Sequence, residues 1–251
     1  MRIGIIGTGT IASAVVRGIV ADGHEFTVSE RNADTAAALA AAFDNVTVAS
    51  NQGVIDASDV VFLGMRGNVA PGVLKDLTFR ADQRVVSLMV GLSLEEIADL
   101  VAPASADALM IPFTFIAHGG SPILAFPESA LLDALFGHSN TVIAMPDAAA
   151  FNHYLAAQAL LSPVLKEIQV ASDWLGARTG DPAAAETFLR LLIGGGLTAD
   201  PLDMPGVIAR MIGELSTPSG YNARLREHMG EAGVYDALIA GLDRLERPDG
   251  S

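Results

Sequence analysis

Cysteine is absent from the 251 residues. That removes disulfides, thiolate metal sites and cysteine nucleophiles together, and it suits a reducing compartment. Lysine is almost absent too: Lys75 and Lys166 stand against thirteen arginines. Acidic residues outnumber basic ones, giving a formal net charge of −14. Such a chain repels a phosphate backbone on average, so nucleic acid is not an expected partner. Long apolar runs are missing, and none reaches the roughly 18 residues of a membrane span. The opening residues read as a strand from Ile3, without the cleavage pattern of a secretory signal. No two histidines stand with an acid at metal-ligand spacing, so no metal is expected. What remains is a soluble, cytoplasmic protein whose hydrophobic content, 51%, can bury a sizeable core.

The first half alternates short apolar runs with helix-like stretches, the pattern of a parallel sheet covered by helices. Strands are predicted over Arg2–Ile6, Glu25–Val28, Val46–Val48, Val60–Gly64, Arg84–Leu88, Ala108–Ile111, Ile123–Ala125 and Val142–Ala144. Helices are predicted over Ile11–Ala21, Ala33–Phe43, Gln52–Ala57, Val69–Leu77 and Leu94–Val101. Ser93 and Glu96 have the spacing of a capping box for the last of these. The character changes near Met145-Pro146-Asp147. Beyond it lie only helical periodicities: Ala149–Leu175, Pro182–Leu197, Pro205–Leu215 and Ala223–Glu246. Asp147 is the expected N-cap of the first and Gly176 its expected stop, while Pro163 should kink or divide it. The expected fold is therefore α/β: a Rossmann-type doubly wound sheet over residues 1–146, then an all-helical domain over 147–251.

The segment Gly7-Thr8-Gly9-Thr10-Ile11-Ala12 joins the first predicted strand to the first predicted helix. In that context Gly7 permits the tight turn and Gly9 lets backbone approach a pyrophosphate. Ala12 allows close helix–strand packing, and the helix N-terminus offers free N–H groups and a positive dipole end. The cofactor is NAD or NADP. Past the second strand, Ser29-Glu30-Arg31-Asn32 supports both: Glu30 can accept from a ribose diol, and Ser29 with Arg31 can hold a 2′-phosphate. Two later loops end strands and should face the cofactor: Gly64-Met65-Arg66-Gly67-Asn68 and Val90-Gly91-Leu92-Ser93. Arg66 is the cation there for a phosphate or a substrate carboxylate. Near the far end, Pro218-Ser219-Gly220 feeds a predicted helix and aims N–H groups at an anion, with Arg224 and Arg226 close in sequence.

Together these segments resemble the pyrroline-5-carboxylate reductase family. Met1–Gly9 resembles that family's opening. Asn51 stands where the family has a cofactor-contacting asparagine. Met65-Arg66-Gly67-Asn68 replaces a Val-Lys-Pro-Gln type loop, and Ser87–Ser93, with Gly91, resembles Ser-x-x-Ala-Gly-x-Ser. Ile111-Pro112-Phe113-Thr114-Phe115 stands in for Met-Pro-Asn-Thr-Pro. Ser216-Thr217-Pro218-Ser219-Gly220-Tyr221-Asn222 stands for Thr-Ser-Pro-Gly-Gly-x-Thr. The resemblance implies an NAD(P)H-dependent reductase of a small imino acid, of the kind that serves proline biosynthesis. It implies a substrate carboxylate held at Pro218, Ser219, Gly220, Tyr221 and Asn222, with Asn222 in the catalytic position, and a homodimer through the helical domain. Departures are visible: Ser219 replaces a glycine, Asn222 a threonine, Tyr221 a small residue, and the middle helix keeps only Ser162-Pro163. Two other readings stay open. One is a carbonyl-reducing oxidoreductase of the β-hydroxyacid or deazaflavin-linked type, for which Lys166 is the only lysine in the helical part. The other is a non-catalytic dinucleotide-binding protein.

Overall fold

The structure, a computed structural model, describes residues 1–246. It divides into two compact units, Met1–Asn152 and the residues from His153 onward.

In the first unit the chain runs β1 (Arg2–Ile6), α1 (Thr10–Ile19), β2 (Glu25–Ser29), α2 (Ala33–Ala42), β3 (Val46–Ala49), α3 (Asn51–Ala57) and β4 (Val60–Leu63). There follow α4 (Ala70–Leu74), β5 (Arg84–Ser87), α5 (Leu94–Val101), β6 (Ser105–Ile111), β7 (Pro122–Phe126), α6 (Ala130–Phe136) and β8 (Thr141–Ala144). The eight strands form one sheet in the order β3-β2-β1-β4-β5-β6-β7-β8. The first six are parallel; β7 turns back antiparallel to β6, and β8 follows β7. All four residues of β4 are buried, as expected of a central strand covered on both faces. Ile3 and Ile5 of β1, Val15, Val16 and Ile19 of α1, and Phe62 are fully enclosed in one core. Phe136 meets Phe62 edge-on, with ring centroids 6.3 Å apart. Because β1 lies between β2 and β4, the chain crosses in opposite directions on its two sides. A doubly wound sheet opens a crevice there, above the carboxyl ends of its strands.

The predicted strands and the helix Leu94–Val101 are found with small shifts at their ends, and the Ser93–Glu96 capping box forms in both directions. Helix α6 has no counterpart in the sequence reading. It is short, and Leu131, Leu132, Leu135 and Phe136 are all buried, so too little chain remains to display a periodicity. The single helix expected over Val69–Leu77 is a 3-10 turn, Gly67–Val69, followed by the short α4, with Pro71 in its first turn.

The helical elements are α7 (Ala148–Ala157), α8 (Leu161–Thr179), α9 (Pro182–Leu197), α10 (Val207–Glu214), α11 (Tyr221–Glu231) and α12 (Val234–Leu245); the division between the units falls within α7. Asp147 does cap α7, its carboxylate accepting from the Ala150 N–H at 2.7 Å. Pro163 divides the long stretch: a 3-10 turn over Gln158–Leu160 precedes it, placing Pro163 in the first turn of α8, where its missing N–H costs nothing. Gly176 does not stop the helix. A β-carbon there would lie 2.8 Å from the Cα of Pro182, so this glycine lets α9 approach α8. The stop is Gly180, left-handed at φ 76°. Gly233, also left-handed, breaks the expected Ala223–Glu246 helix into α11 and α12. Among the described residues from His153 on, the buried apolar side chains are those of Ala156, Ala185 and Ala223 alone.

Candidate functional site

The turn after β1 is built by three contacts. Gly7 adopts φ 92°, and a β-carbon on it would fall 2.8 Å from the backbone of Gly64. Its N–H donates to Ser29 Oγ at 2.9 Å, and Thr8 Oγ1 donates to the Ser29 carbonyl at 2.9 Å. Ser29 and Thr8 are therefore turned inward and buried, tying the turn to the end of β2. That geometry corrects the expectation that the Ser29 hydroxyl faces a 2′-phosphate: it already serves Gly7.

Gly9 is different. It caps α1 with ordinary extended backbone and no side-chain partner, and a β-carbon on it would meet no protein atom within 4 Å. The fold does not need glycine here. A ligand that must touch the backbone does. The first-turn N–H groups of α1, at Thr10, Ile11 and Ala12, have no capping side chain. Ala12 is buried, and its Cβ would lie 2.9 Å from a β-carbon on Gly64, so both sites demand small residues.

A cavity of about 340 Å³ spreads from this turn; Gly7, Gly9, Arg31, Asn32, Met65 and Arg66 are among its walls. A second of about 610 Å³ shares Met65 and Arg66 and continues along Asn68, Met89, Val90 and Gly91. The pair crosses the edge of the sheet from the end of β2 to the end of β5. That is the span of a dinucleotide laid over the switch point, with its adenosine end by β2 and its pyrophosphate on α1. Arg31 and Arg66 have no acidic partner among the described residues, leaving two uncompensated positive charges here in a chain of net charge −14. Glu30 is exposed and its N–H donates to Ala49, but it does not line the cavity; Arg31 and Asn32 do. Asn51 opens α3 beside the edge strand β3, outside both cavities. Gly91, at φ 89°, has open space around it. The residues just beyond are held by the Ser93–Glu96 box, whose backbone N–H to carboxylate bond keeps the Glu96 carboxyl below its usual range.

In the helical unit, the Gly220 N–H donates to the Thr217 carbonyl at 2.9 Å, closing a turn with Pro218 and Ser219 at its centre. Ser219 has φ 64°, so this is a type II turn whose third position favours glycine. Gly220 caps α11 without a side chain, leaving first-turn N–H groups open. Arg226 Nη2 donates to Ser216 Oγ at 2.8 Å and steadies the turn. Tyr221 is 89% exposed and Asn222 is exposed beside it. His118 is exposed at the end of a 3-10 turn, and the ring of His153 pairs with Glu246 at 2.6 Å. Beyond β6, in the segment that stands in for the family's Met-Pro-Asn-Thr-Pro, the rings of Phe113 and Phe115 stack at 5.3 Å, 9° from parallel, a pairing not among the expected site features. The Pro-Phe-x-Phe spacing after a strand was its signal.

Residues 2–91 match the family model described as NADP oxidoreductase coenzyme F420-dependent. No curated protein matches the chain significantly. Solved structures match over the whole length. A 1-pyrroline-5-carboxylate reductase from Streptococcus pyogenes is 22% identical, with 98% of this chain and 96% of that one covered at a TM-score of 0.80. A pyrroline carboxylate reductase from Plasmodium falciparum, solved with NADP bound, is 13% identical over 100% and 98% of the two chains at 0.81. A reductive aminase from Aspergillus terreus, in complex with NADPH and ethyl levulinate, is 20% identical over 85% and 77% at 0.60. The chain thus has the fold of these proteins: an N-terminal Rossmann sheet followed by a helical domain.

Proposed function

We propose that this chain is a divergent relative of the pyrroline-5-carboxylate reductases and reduces a carbon–nitrogen double bond with a nicotinamide dinucleotide. The observation that carries this is Gly9, a glycine the fold does not require, at the N-terminus of α1 in a chain whose whole length takes the reductase fold. Bound along the two cavities, the dinucleotide supplies hydride. The chain's part is to hold it: α1 N–H groups and Gly9 at the pyrophosphate, Arg66 beside it, and Met65 and Gly91 along its nicotinamide end. Neither cavity is lined by an acid or a histidine. That favours an imine over a ketone, because an iminium already carries its proton whereas a nascent alkoxide wants a positioned acid.

NADPH is the preferred cofactor in this reading. Arg31 lines the cavity and has no acidic partner among the described residues, while Glu30 stays outside it. The resemblance assigns the substrate's carboxylate to the N–H groups at Pro218–Asn222, with Asn222 in the catalytic position. Two copies associate through the helical unit, in the cytoplasm: Trp174, Phe188, Leu191 and Ile239 are all more than half exposed, and among the described residues no large apolar side chain of that unit is buried.

The test is a fluorescence titration with each reduced cofactor, followed by pyrroline-5-carboxylate, piperideine carboxylates and keto acids. NADPH should bind at least about tenfold more tightly than NADH, a difference of about 1.4 kcal/mol, and Arg31→Ala should erase that gap. Binding without turnover of any imine points instead to a non-catalytic dinucleotide protein; failure to bind either cofactor overturns the whole proposal.

A further inference from the structure

Strand β6 is parallel to β5 and pairs with it through Ser87 and Leu109. Carried forward, that register sets Ile111 level with Met89 and brings the chain out of the sheet at the edge where Met89, Val90 and Gly91 line the larger cavity. There Pro112 is buried, Phe113 half-buried and Phe115 39% exposed, and the two rings lie stacked. The stack is held rigid from below. The Ile116 N–H donates to the Phe113 carbonyl at 3.0 Å, and the Ile116 side chain is fully buried in the core beside α1. Its carbonyl sits so close to Gly18 that a β-carbon there would come within 2.6 Å. The inward anchor of the loop is Ile116, so the stack, with Phe113 half-buried and Phe115 partly exposed, is not what holds the loop to the core. A rigid aromatic face beside a ligand cavity does have a chemical use: it takes flat or apolar groups at little entropic cost.

We infer that Phe113 and Phe115 form an apolar platform next to the nicotinamide end of the cleft, and that it selects imines bearing an aryl or bulky alkyl substituent over small unsubstituted ones. This rests on the imine-reductase reading, and the two are separable by experiment. The full-length protein, loaded with NADP, is titrated calorimetrically with 2-phenylpyrrolidine and with pyrrolidine, the amine products of a matched pair of imines. The platform requires the phenyl amine to bind at least about tenfold more tightly, and Phe113→Asn combined with Phe115→Pro to remove that preference while leaving NADP affinity in place. Equal binding of the two amines, or a preference that survives the double substitution, overturns it. Should the double variant fold poorly, Phe115→Ala alone, on the exposed ring, should reduce the preference at least threefold. Turnover is read separately with 2-phenyl-1-pyrroline and 1-pyrroline. No turnover of either imine, or of pyrroline-5-carboxylate, would count against the reductase reading, whereas the amine titration decides the platform alone.

Discussion

Gly7 and Gly9 stand two residues apart and have opposite reasons to be glycine. At Gly7 the backbone is left-handed and the neighbouring Gly64 leaves no room, so Gly7→Ala should lower thermal stability by several degrees. At Gly9 neither constraint applies. Gly9→Ala should cost under about 1 kcal/mol of stability, the scale of a weakened N-cap, yet reduce NADPH affinity at least about tenfold. Melting curves and a cofactor titration on both variants check the contrast; a Gly9→Ala protein that binds normally would remove the ligand argument. Ser219 presents the reverse case, a non-glycine residue held at φ 64°. Left-handed backbone costs roughly 1–2 kcal/mol for such a residue, partly offset by glycine's greater freedom when unfolded. Ser219→Gly should therefore raise stability by up to about 1 kcal/mol. No change or a loss would mean that the side chain has a stabilising contact of its own.

At the scale of elements, the Ser93–Glu96 box predicts a pH dependence with a definite sign. The folded Glu96 carboxyl is held below its ordinary range by the Ser93 N–H. A depressed carboxylate stabilises the fold above its unfolded pKa, and that contribution is lost as pH falls through the folded value. Glu96→Gln should thus be less stable than the parent near neutral pH and converge with it in acid. Thermal melts across that range check it, and a constant gap would contradict it. Gly176→Leu should destabilise the α8–α9 pair by about 1–3 kcal/mol through overpacking against Pro182. How much of this was legible in the sequence differs by element. Strands and the capping box could be read because alternation and cap chemistry are local. Gly176 looked like a helix stop because glycine is the usual stop, but here tertiary packing decided its role and Gly180 took the cap. Helix α6 lacked enough residues to show a period. Of the site, Gly7, Gly9, Ala12 and Arg66 could be placed from the motif and strand ends. The inward turn of Ser29 could not, since it depends on a hydrogen bond to Gly7 across strands.

For the whole molecule, the two units differ in how they are held together. The sheet unit encloses a core of large apolar residues, whereas among the described residues of the helical unit the buried side chains are small, those of Ala156, Ser172, Ala185 and Ala223, and Leu191, at 71%, and Leu202, at 86%, stand in the open. Such a surface suits association, and sedimentation equilibrium should give a dimer whose dissociation unfolds the helical unit; a folded monomer at all concentrations would contradict that. The chemistry is decided by a matched pair of substrates. The protein with NADPH is given an imine and the ketone of the same carbon skeleton, and the products are identified by mass. One amine should form per NADPH consumed, with the ketone left intact. Reduction of the ketone to an alcohol, or a bound cofactor that never reduces the imine, would contradict the imine-reductase reading.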